Sequence, residues 1–177
     1  MVKHVFALAA LLAFSAVHAQ DDDQKFRLGI GAGKYTADSD LAEFKSTGWE
    51  VFGGYEFNRY LAIEAGYLDT GSDSKTISGV KVEVSASSIF ASVIGSLPIG
   101  ETFSVFARGG LLHWEADGTG SASGFTLTAE DDGDDLFLGV GLSAQIEGAL
   151  FRLEYRFAEI DDVVDLSMIG LNLAWRF

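Results

Sequence analysis

The residue of this chain best suited to chemistry is His113, the one histidine that follows position 19. A histidine can serve as general base in acyl transfer when a nucleophile and an orienting acid lie within hydrogen-bond reach. Glu115 would share a strand face with His113, but the sequence places no serine nucleophile beside them. We therefore predict that His113 is not catalytic and that it lies at an interface beside Trp114.

Candidate ligands for a metal ion lie in a single acidic run. Its positions are Glu130, Asp131, Asp132, Gly133, Asp134 and Asp135. Carboxylate oxygens suit calcium, but the run lacks the twelve-residue spacing of an EF-hand loop. We expect a solvated loop tip without a specific metal site, and the calcium candidates are Asp131, Asp132, Asp134 and Asp135.

Three alternating glycines, Gly29, Gly31 and Gly33, form a run that could be mistaken for a phosphate-binding loop. A dinucleotide fingerprint follows a strand and opens a helix, whereas this run continues a strand of period two. The glycines are expected to give room inside the fold or at a bend. No cofactor is predicted.

The N-terminus has the pattern of a secretory signal peptide. Lys3 and His4 precede an apolar stretch over 5–17, and Val17-His18-Ala19 is a small-x-small cleavage site. The apolar stretch is shorter than the roughly 20 residues that a spanning helix needs. We predict a cleaved signal peptide over residues 1–19 and one domain over residues 20–177.

The charge and the cysteine content exclude several classes of function. The chain has 12 basic and 26 acidic residues and a formal charge of −14, and loss of Lys3 with the signal peptide makes it one unit more negative. Such acidity argues against nucleic acid as a partner. Cysteine is absent, so disulfides, thiolate metal sites and a cysteine nucleophile are excluded.

Short runs of alternating residues predict eight β-strands. They cover 26–35, 47–57, 60–69, 80–96, 103–114, 136–146, 151–157 and a terminal strand that ends at Phe177. The connections 36–46, 70–79, 115–134 and 159–165 are long or polar, whereas the turns near 58, 98 and 148 are short. This parity is typical of an outer-membrane barrel. The predicted fold class is all-β, an eight-stranded antiparallel up-and-down transmembrane β-barrel.

The seventh strand indicates which face meets lipid. One of its faces is apolar and the other carries Arg152, Glu154 and Arg156, and a cation on the lipid face costs roughly 2–4 kcal/mol near the midplane. The opposite faces of strands one, two, three, six and eight hold mostly small residues with isolated charges, which suits a crowded lumen. These charges are Arg27, Glu50, Glu56, Glu64 and Arg176. Two aromatic girdles are expected, with Trp49, Tyr67 and Trp114 towards the loops and Tyr55, Phe57, Phe103, Trp175 and Phe177 towards the turns.

Four stretches carry a family resemblance: GGYEFNRYLAIEAGYLD at 53–69, FARGGLLHWEAD at 106–117, FRLEYRF at 151–157 and SMIGLNLAWRF at 167–177. Together they resemble the transmembrane domain of OmpA-like outer-membrane proteins, over essentially the whole mature chain. The resemblance implies insertion by the outer-membrane assembly machinery, with Trp175 and Phe177 as the C-terminal signal. The peptidoglycan-binding domain of many family members is not expected, since the chain ends at Phe177.

The resemblance also implies ion pairs in the lumen. The residues are Glu64, Arg108, Arg152, Glu154 and, on the same face of the seventh strand, Arg156. Glu64 is expected to pair with Arg152, because buried charges are costly unless paired. Val93 and Ser143 stand where the family pattern has a further lumenal lysine and glutamate, which argues against gating by exchange between two ion pairs.

The sequence therefore predicts a non-enzymatic, monomeric outer-membrane barrel of a Gram-negative bacterium that contributes to envelope integrity and exposes acidic loops. Its expected partners are outer-membrane lipids and lipopolysaccharide, the assembly machinery and periplasmic chaperones. Three alternatives stay open: a lipid A-modifying enzyme that uses His113, a narrow ion-conducting pore, and a soluble ligand carrier of the lipocalin kind.

Overall fold

The computed structural model describes residues 25–38, 43–77, 80–122, 125–160 and 164–177, so the predicted signal peptide over 1–19 lies outside the described residues. The strands are β1 (Phe26–Asp38), β2 (Glu43–Asn58), β3 (Leu61–Ile77), β4 (Val80–Ile99), β5 (Phe103–Ala122), β6 (Phe125–Ile146), β7 (Ala149–Ile160) and β8 (Val164–Arg176). Each pairs antiparallel with its neighbour in sequence, and β8 closes on β1. The predicted eight-stranded barrel is confirmed. No helix in the described part of the chain is long and apolar enough to cross a membrane.

Side chains alternate between an apolar outer face and a filled interior. In β7, Phe151 and Tyr155 are 47% and 49% exposed, whereas Arg152 is 3% exposed and Glu154 is completely buried. Because successive side chains of a strand point to opposite faces, the charges lie in the lumen and the aromatic rings face outward. The outward apolar face predicted from the sequence is confirmed.

The strands continue well beyond the predicted membrane segments. β3 reaches Ile77, and β5 and β6 pair from Ala122↔Phe125 down to the opposite end of the barrel, so the predicted loops over 70–79 and 115–134 are wrong for most of their length. Outside the membrane both faces of a hairpin meet water, and the apolar alternation that marks a strand disappears. The polar composition of these segments therefore concealed strands.

A β-bulge divides β3 into an inner segment and an outer segment. The register with β4 shifts between Asp69 and Ser72, and Gly71 adopts a φ of +71° that favours glycine. The Asp69 carboxylate accepts a hydrogen bond from the Gly71 amide at 2.8 Å. The extra residue moves the interior face from even to odd positions, so Asp73 and Lys75 become the more buried residues of the outer segment.

The short turns are built by particular side chains. The Asn58 carboxamide oxygen accepts hydrogen bonds from the amides of Tyr60 (2.8 Å) and Leu61 (3.0 Å), an arrangement typical of asparagine in turns. Between β6 and β7, Glu147 and Gly148 both have positive φ, at 48° and 86°. Two such residues form the hairpin turn whose twist matches that of the flanking strands.

The structure corrects two predicted orientations. Val93 is 52% exposed and faces outward, while Ser92 is buried in the lumen, because Ser92 pairs with the lumenal Glu64 across β3 and β4. Trp114, predicted in the outer girdle, is 8% exposed and lies inside the barrel. Its even position in β5 places it on the same face as the buried Leu112.

Candidate functional site

The interior charges have space because small residues flank them on the neighbouring strands. Glu64 lies between Gly54 and Ser92, and Glu154 lies between Gly141 and Gly170. An eight-stranded barrel has an interior just wide enough for side chains to fill. Because the glycines have no side chains, the long side chains of the charged residues can reach across the lumen.

Glu64 is the central acceptor of the ion pairs in the half of the lumen nearer the short turns. Its carboxylate accepts a hydrogen bond from Arg152 Nη1 at 2.9 Å, and it forms ion pairs with Arg27 Nε at 2.8 Å and Arg108 Nη2 at 3.3 Å. Glu64 is on β3 and Arg152 is on β7, four strands away around a closed barrel of eight. The contact thus joins opposite walls, and it brings together the two residues that the sequence analysis paired.

Glu154 is the second centre, one step nearer the outer end. Its carboxylate accepts from Arg108 Nη1 at 3.1 Å, Arg156 Nε at 3.2 Å and Asn172 Nδ2 at 3.2 Å. Arg108 also donates from Nη2 to the Ser92 hydroxyl at 2.7 Å. Arg108 therefore bridges the two carboxylate centres, and Ser92 takes the position that the sequence analysis had given to Val93.

Further pairs extend these contacts at both ends. Arg156 donates to Glu50 at 3.0 Å near the outer end, whereas Arg27 donates to Glu56 at 2.7 Å near the turns, where Arg176 also contacts Glu56. We call the connected set the lumen network; among the described residues it comprises Arg27, Glu50, Glu56, Glu64, Arg108, Arg152, Glu154, Arg156 and Arg176. Alternation predicts lumenal faces for Arg27, Glu50, Glu56 and Arg176, but it does not predict this network, because it gives a face and not a partner.

Phenylalanine rings fill the space between the guanidinium groups. The Arg152 guanidinium carbon lies 4.6 Å from the centroid of the Phe52 ring. Those of Arg108 and Arg156 lie 5.2–5.4 Å from the centroids of the Phe90 and Phe137 rings. Cations this close to an aromatic face gain from its quadrupole. Charges and rings together block the middle of the lumen.

The acidic run is divided between the two faces of β6 and does not form a loop tip. Asp135 faces inward and accepts from the Trp114 indole N–H at 2.7 Å, whereas Asp134 faces outward, 3.0 Å from His113 Nδ1. No group of three or more His, Cys, Asp or Glu side chains in the described ranges is arranged to hold a metal ion. The four calcium candidates, Asp131, Asp132, Asp134 and Asp135, alternate between faces and do not converge.

His113 lies on the outer surface of β5, half-buried, opposite Ile89 on β4 and Asp134 on β6. The side-chain hydrogen bond to Asp134 is made without a serine hydroxyl as a third member among the described residues. Glu115 is exposed two residues further along the same face. His113 is thus a histidine oriented by one carboxylate at the outer surface.

A fully exposed ion pair occurs at the start of β2. Lys45 donates from Nζ to Glu43 Oε1 at 2.5 Å. This hydrogen bond holds the pKa of the Glu43 carboxyl below its ordinary value and raises the pKa of Lys45. The pair is the solvent-exposed counterpart of the contacts in the lumen.

The C-terminal aromatic residues lie at the closing seam of the barrel. The Phe177 amide donates to the Phe26 carbonyl at 2.9 Å, and the Phe26 amide donates to the Phe177 carbonyl at 3.2 Å. Trp175 is 54% exposed to the outside and lies opposite Leu28 of β1 and Ala149 of β7. Both residues are thus positioned to complete β8 where it meets β1.

An apolar outer face around a closed, charged interior defines the class of protein. Exposed rings and aliphatic side chains cover the outside of every strand, with Phe26, Val51, Ile63, Val93, Leu111, Leu138, Tyr155 and Leu171 among them. Such a surface is stable in hydrocarbon, where backbone groups must be satisfied within a closed barrel. The protein is an integral β-barrel of the bacterial outer membrane.

The chain belongs to the family described as outer membrane protein beta-barrel domain, whose model matches residues 6–177. It is 31% identical over 195 aligned positions to outer membrane protein A of Klebsiella aerogenes, an alignment that covers 97% of this chain and 52% of that protein. The chain thus spans about half the length of this curated relative.

Solved structures share the fold at low sequence identity. The Yersinia pestis attachment invasion locus protein Ail, in complex with the heparin analogue sucrose octasulfate, is 20% identical with a TM-score of 0.64, over 86% of this chain and 98% of that chain. Neisserial surface protein A is 18% identical with a TM-score of 0.62, over 86% and 97%. The N-terminal barrel of Pseudomonas aeruginosa OprF is 10% identical with a TM-score of 0.53, over 83% and 97%.

Proposed function

We propose that this chain is a non-enzymatic structural protein of the outer membrane whose closed barrel contributes to envelope integrity. The lumen network carries the proposal, because it connects β3 to the opposite β7 and fills the space that a solute would need. Ion pairs that join opposite walls couple the strands they connect, because removing one partner leaves an uncompensated buried charge.

The closed lumen leads to a direct test in planar lipid bilayers. We expect no stable conductance steps from the purified, folded protein, because Arg108 bridges Glu64 and Glu154 while Phe90 and Phe137 lie against its guanidinium. The Phe137→Ala variant should raise the conductance, provided that heat-modifiable gel mobility shows that it folds. Reproducible ion conductance by the wild-type protein would favour the narrow pore instead.

The contribution to integrity is tested by deleting the chromosomal copy and measuring sensitivity to large antibiotics and detergent. If the braced barrel matters, the wild-type protein and Glu43→Gln should restore resistance to these compounds. Glu64→Gln at equal expression should not restore it. Unchanged sensitivity in the deletion strain would refute the role in integrity and would leave the fold and the location as they are.

The outer ends of the strands support a second, surface-related part of the proposal. Exposed acids, Glu115, Asp117, Glu130, Asp131, Asp132 and Asp134 among them, crowd the β5–β6 hairpin. Contact with lipopolysaccharide phosphates would therefore require divalent cations as bridges. For the same reason we do not extend to this chain the binding of a sulfated heparin analogue shown for Ail, and immobilised heparin should not retain this protein.

The remaining parts of the proposal concern biogenesis. We propose that the segment 1–19 is removed on export, that periplasmic chaperones deliver the chain, and that the assembly machinery reads Trp175 and Phe177 before the barrel closes. The seam contacts of Phe177 with Phe26 support this, because the same residues complete the last strand pairing. The proposed functional unit is a monomer, since the closed sheet leaves no strand edge to pair.

A further inference from the structure

The outer end of the lumen contains a cavity that the lumen network does not use. Its volume is about 290 Å³, and its walls are largely apolar, formed by Phe44, Leu68, Val84, Leu112, Trp114 and Leu166. Below this cavity only about 20 Å³ of free space remains, beside Phe90, Phe137 and Arg156. The cavity is therefore an outward-facing cup closed at its base by the lumen network.

Tyr35 supplies an unsatisfied polar group in the wall of this cup. Its side chain is 3% exposed and lines the cavity. Its hydroxyl has no hydrogen-bond partner among the described residues. A buried hydroxyl without a partner costs free energy, and a molecule that brings a hydroxyl or other hydrogen-bonding group into the cup would recover it.

The mouth of the cup selects by charge. Asp131 is exposed and Asp73 is half-buried, and both line the upper part of the cavity. Asp73 also accepts from the Lys45 amide at 3.0 Å, which fixes its carboxylate there. Carboxylates at the entrance of an apolar cavity repel anions, and the Lys75 ammonium, 5.4 Å from the centroid of the Phe44 ring, offsets only one of these two. An acidic or phosphorylated ligand is therefore disfavoured.

We infer that the cup binds a small neutral aromatic molecule with one hydroxyl group, a phenol, from the outer side of the membrane. A cavity of 150 Å³ lined by apolar residues already holds benzene, so the observed volume accommodates one substituted ring. Phe44 and Trp114 offer aromatic walls, and Tyr35 offers the hydrogen bond. The site retains its ligand and does not pass it on, because the lumen network closes the path beneath.

Trp114 provides the readout for a direct test. The chain has three tryptophans, and replacing Trp49 and Trp175 by phenylalanine leaves only the one in the cup. The probe is 4-bromophenol, whose bromine quenches indole fluorescence on contact. We expect saturable quenching in the refolded protein, reversed by unbrominated phenol. Equally strong quenching by 4-bromobenzoate, which has a similar shape but is anionic, would contradict the selection by charge.

Variants separate the cup from partition into detergent. Tyr35→Phe should weaken 4-bromophenol about two- to ten-fold, the range of one net hydrogen bond, and should leave bromobenzene unchanged. Ala116→Phe should abolish saturable quenching by filling the cavity, and Ala86→Leu serves the same purpose if Ala116→Phe does not fold. A protein that retains only Trp175 gives the quenching due to partition alone.

Two results would overturn the inference. One is quenching of Trp114 that rises linearly with probe concentration and equals that of Trp175, which would mean partition alone. The other is saturable binding that both Tyr35→Phe and Ala116→Phe leave unchanged, which would place the probe elsewhere. Neither result depends on the proposed role in envelope integrity.

Discussion

Replacing Glu64 by glutamine removes one negative charge from the centre of the lumen network while keeping the size of the side chain. In the native barrel this carboxylate faces Arg27, Arg108 and Arg152. Glutamine keeps one acceptor oxygen, carries no charge, and places an NH2 donor where the second carboxylate oxygen faced the guanidinium groups. We expect a large loss in the free energy of unfolding, because three buried cations lose their common counter-ion.

The composition of the network sets the magnitude and the order of effects. Among the described residues the network has five arginines and four glutamates, so Glu64→Gln leaves five cations against three anions. Breaking a buried ion pair on one side typically costs about 3–5 kcal/mol, and we expect Glu64→Gln to fall in this range. Arg152→Met also removes one partner of a buried pair, but Glu64 keeps Arg27 and Arg108, so the loss should lie at the lower end of the same range, about 3 kcal/mol.

The double variant is the decisive comparison. Glu64→Gln with Arg152→Met restores the native excess of one cation, so its loss should be smaller than the sum of the single losses by about 1–3 kcal/mol, the usual coupling between residues in contact. Urea unfolding in phospholipid vesicles, followed by tryptophan fluorescence and by heat-modifiable gel mobility, measures each value. Glu43→Gln is the matched control, because Glu43 and its partner Lys45 both lie in solvent and the pair should contribute nothing measurable.

Either of two outcomes would refute the bracing role of Glu64. If Glu64→Gln unfolds within about 0.5 kcal/mol of wild type, the size of effect usual for a surface substitution, the buried carboxylate does not hold the arginines together. If the two single losses simply add in the double variant, the contact between β3 and β7 carries no coupling. Both outcomes would remove the argument that the lumen braces the barrel.

Three further predictions test other parts of the structure. Gly141→Ala should lower the free energy of unfolding by about 1–3 kcal/mol, because its Cβ would lie 2.3 Å from the Leu153 carbonyl oxygen and 2.6 Å from the Phe106 ring; Gly95→Ala, with nothing within 4 Å, should unfold like wild type. His113→Ala should leave the lipid A profile in mass spectra unchanged, and an altered profile would favour the enzyme. Phe177→Ala should slow the appearance of the heat-modifiable form in cells more than the neighbouring Arg176→Ala, and equal rates would contradict the role of the C-terminal aromatic as an assembly signal.

Alternation in sequence predicted the barrel because a membrane imposes two different solvents on one strand. Phe151 and Arg152 have to face opposite sides, and no other arrangement avoids a cation in lipid. The outer hairpins escaped prediction for the same reason, since Asp117 and Glu130 pair across β5 and β6 where water covers both faces. In these hairpins polar residues indicate exposure to water, and they do not indicate the backbone conformation.

Alternation predicted which face of its strand each charged residue of the candidate site occupies, but it did not predict which of these residues contact each other. Glu50 and Arg156 are 106 positions apart in sequence and three strands apart around the barrel. Their meeting depends on strand tilt and on the room left by Gly31 beside Glu50 and by Gly139 beside Arg156, which alternation does not encode. Val93 was placed in the lumen for a similar reason, since only the pairing with Glu64 shows that Ser92 lies inside.

The length of the β5–β6 hairpin determines which surface this protein presents outside the cell. Its strands have 20 and 22 residues, whereas crossing the membrane takes about 9–11. The excess of about ten residues, tilted by about 40°, carries the hairpin roughly 25 Å above the bilayer. Because neighbouring strands present this surface together, an antibody raised against the folded protein would recognise a discontinuous epitope, and boiling would destroy that epitope while the polypeptide stayed intact.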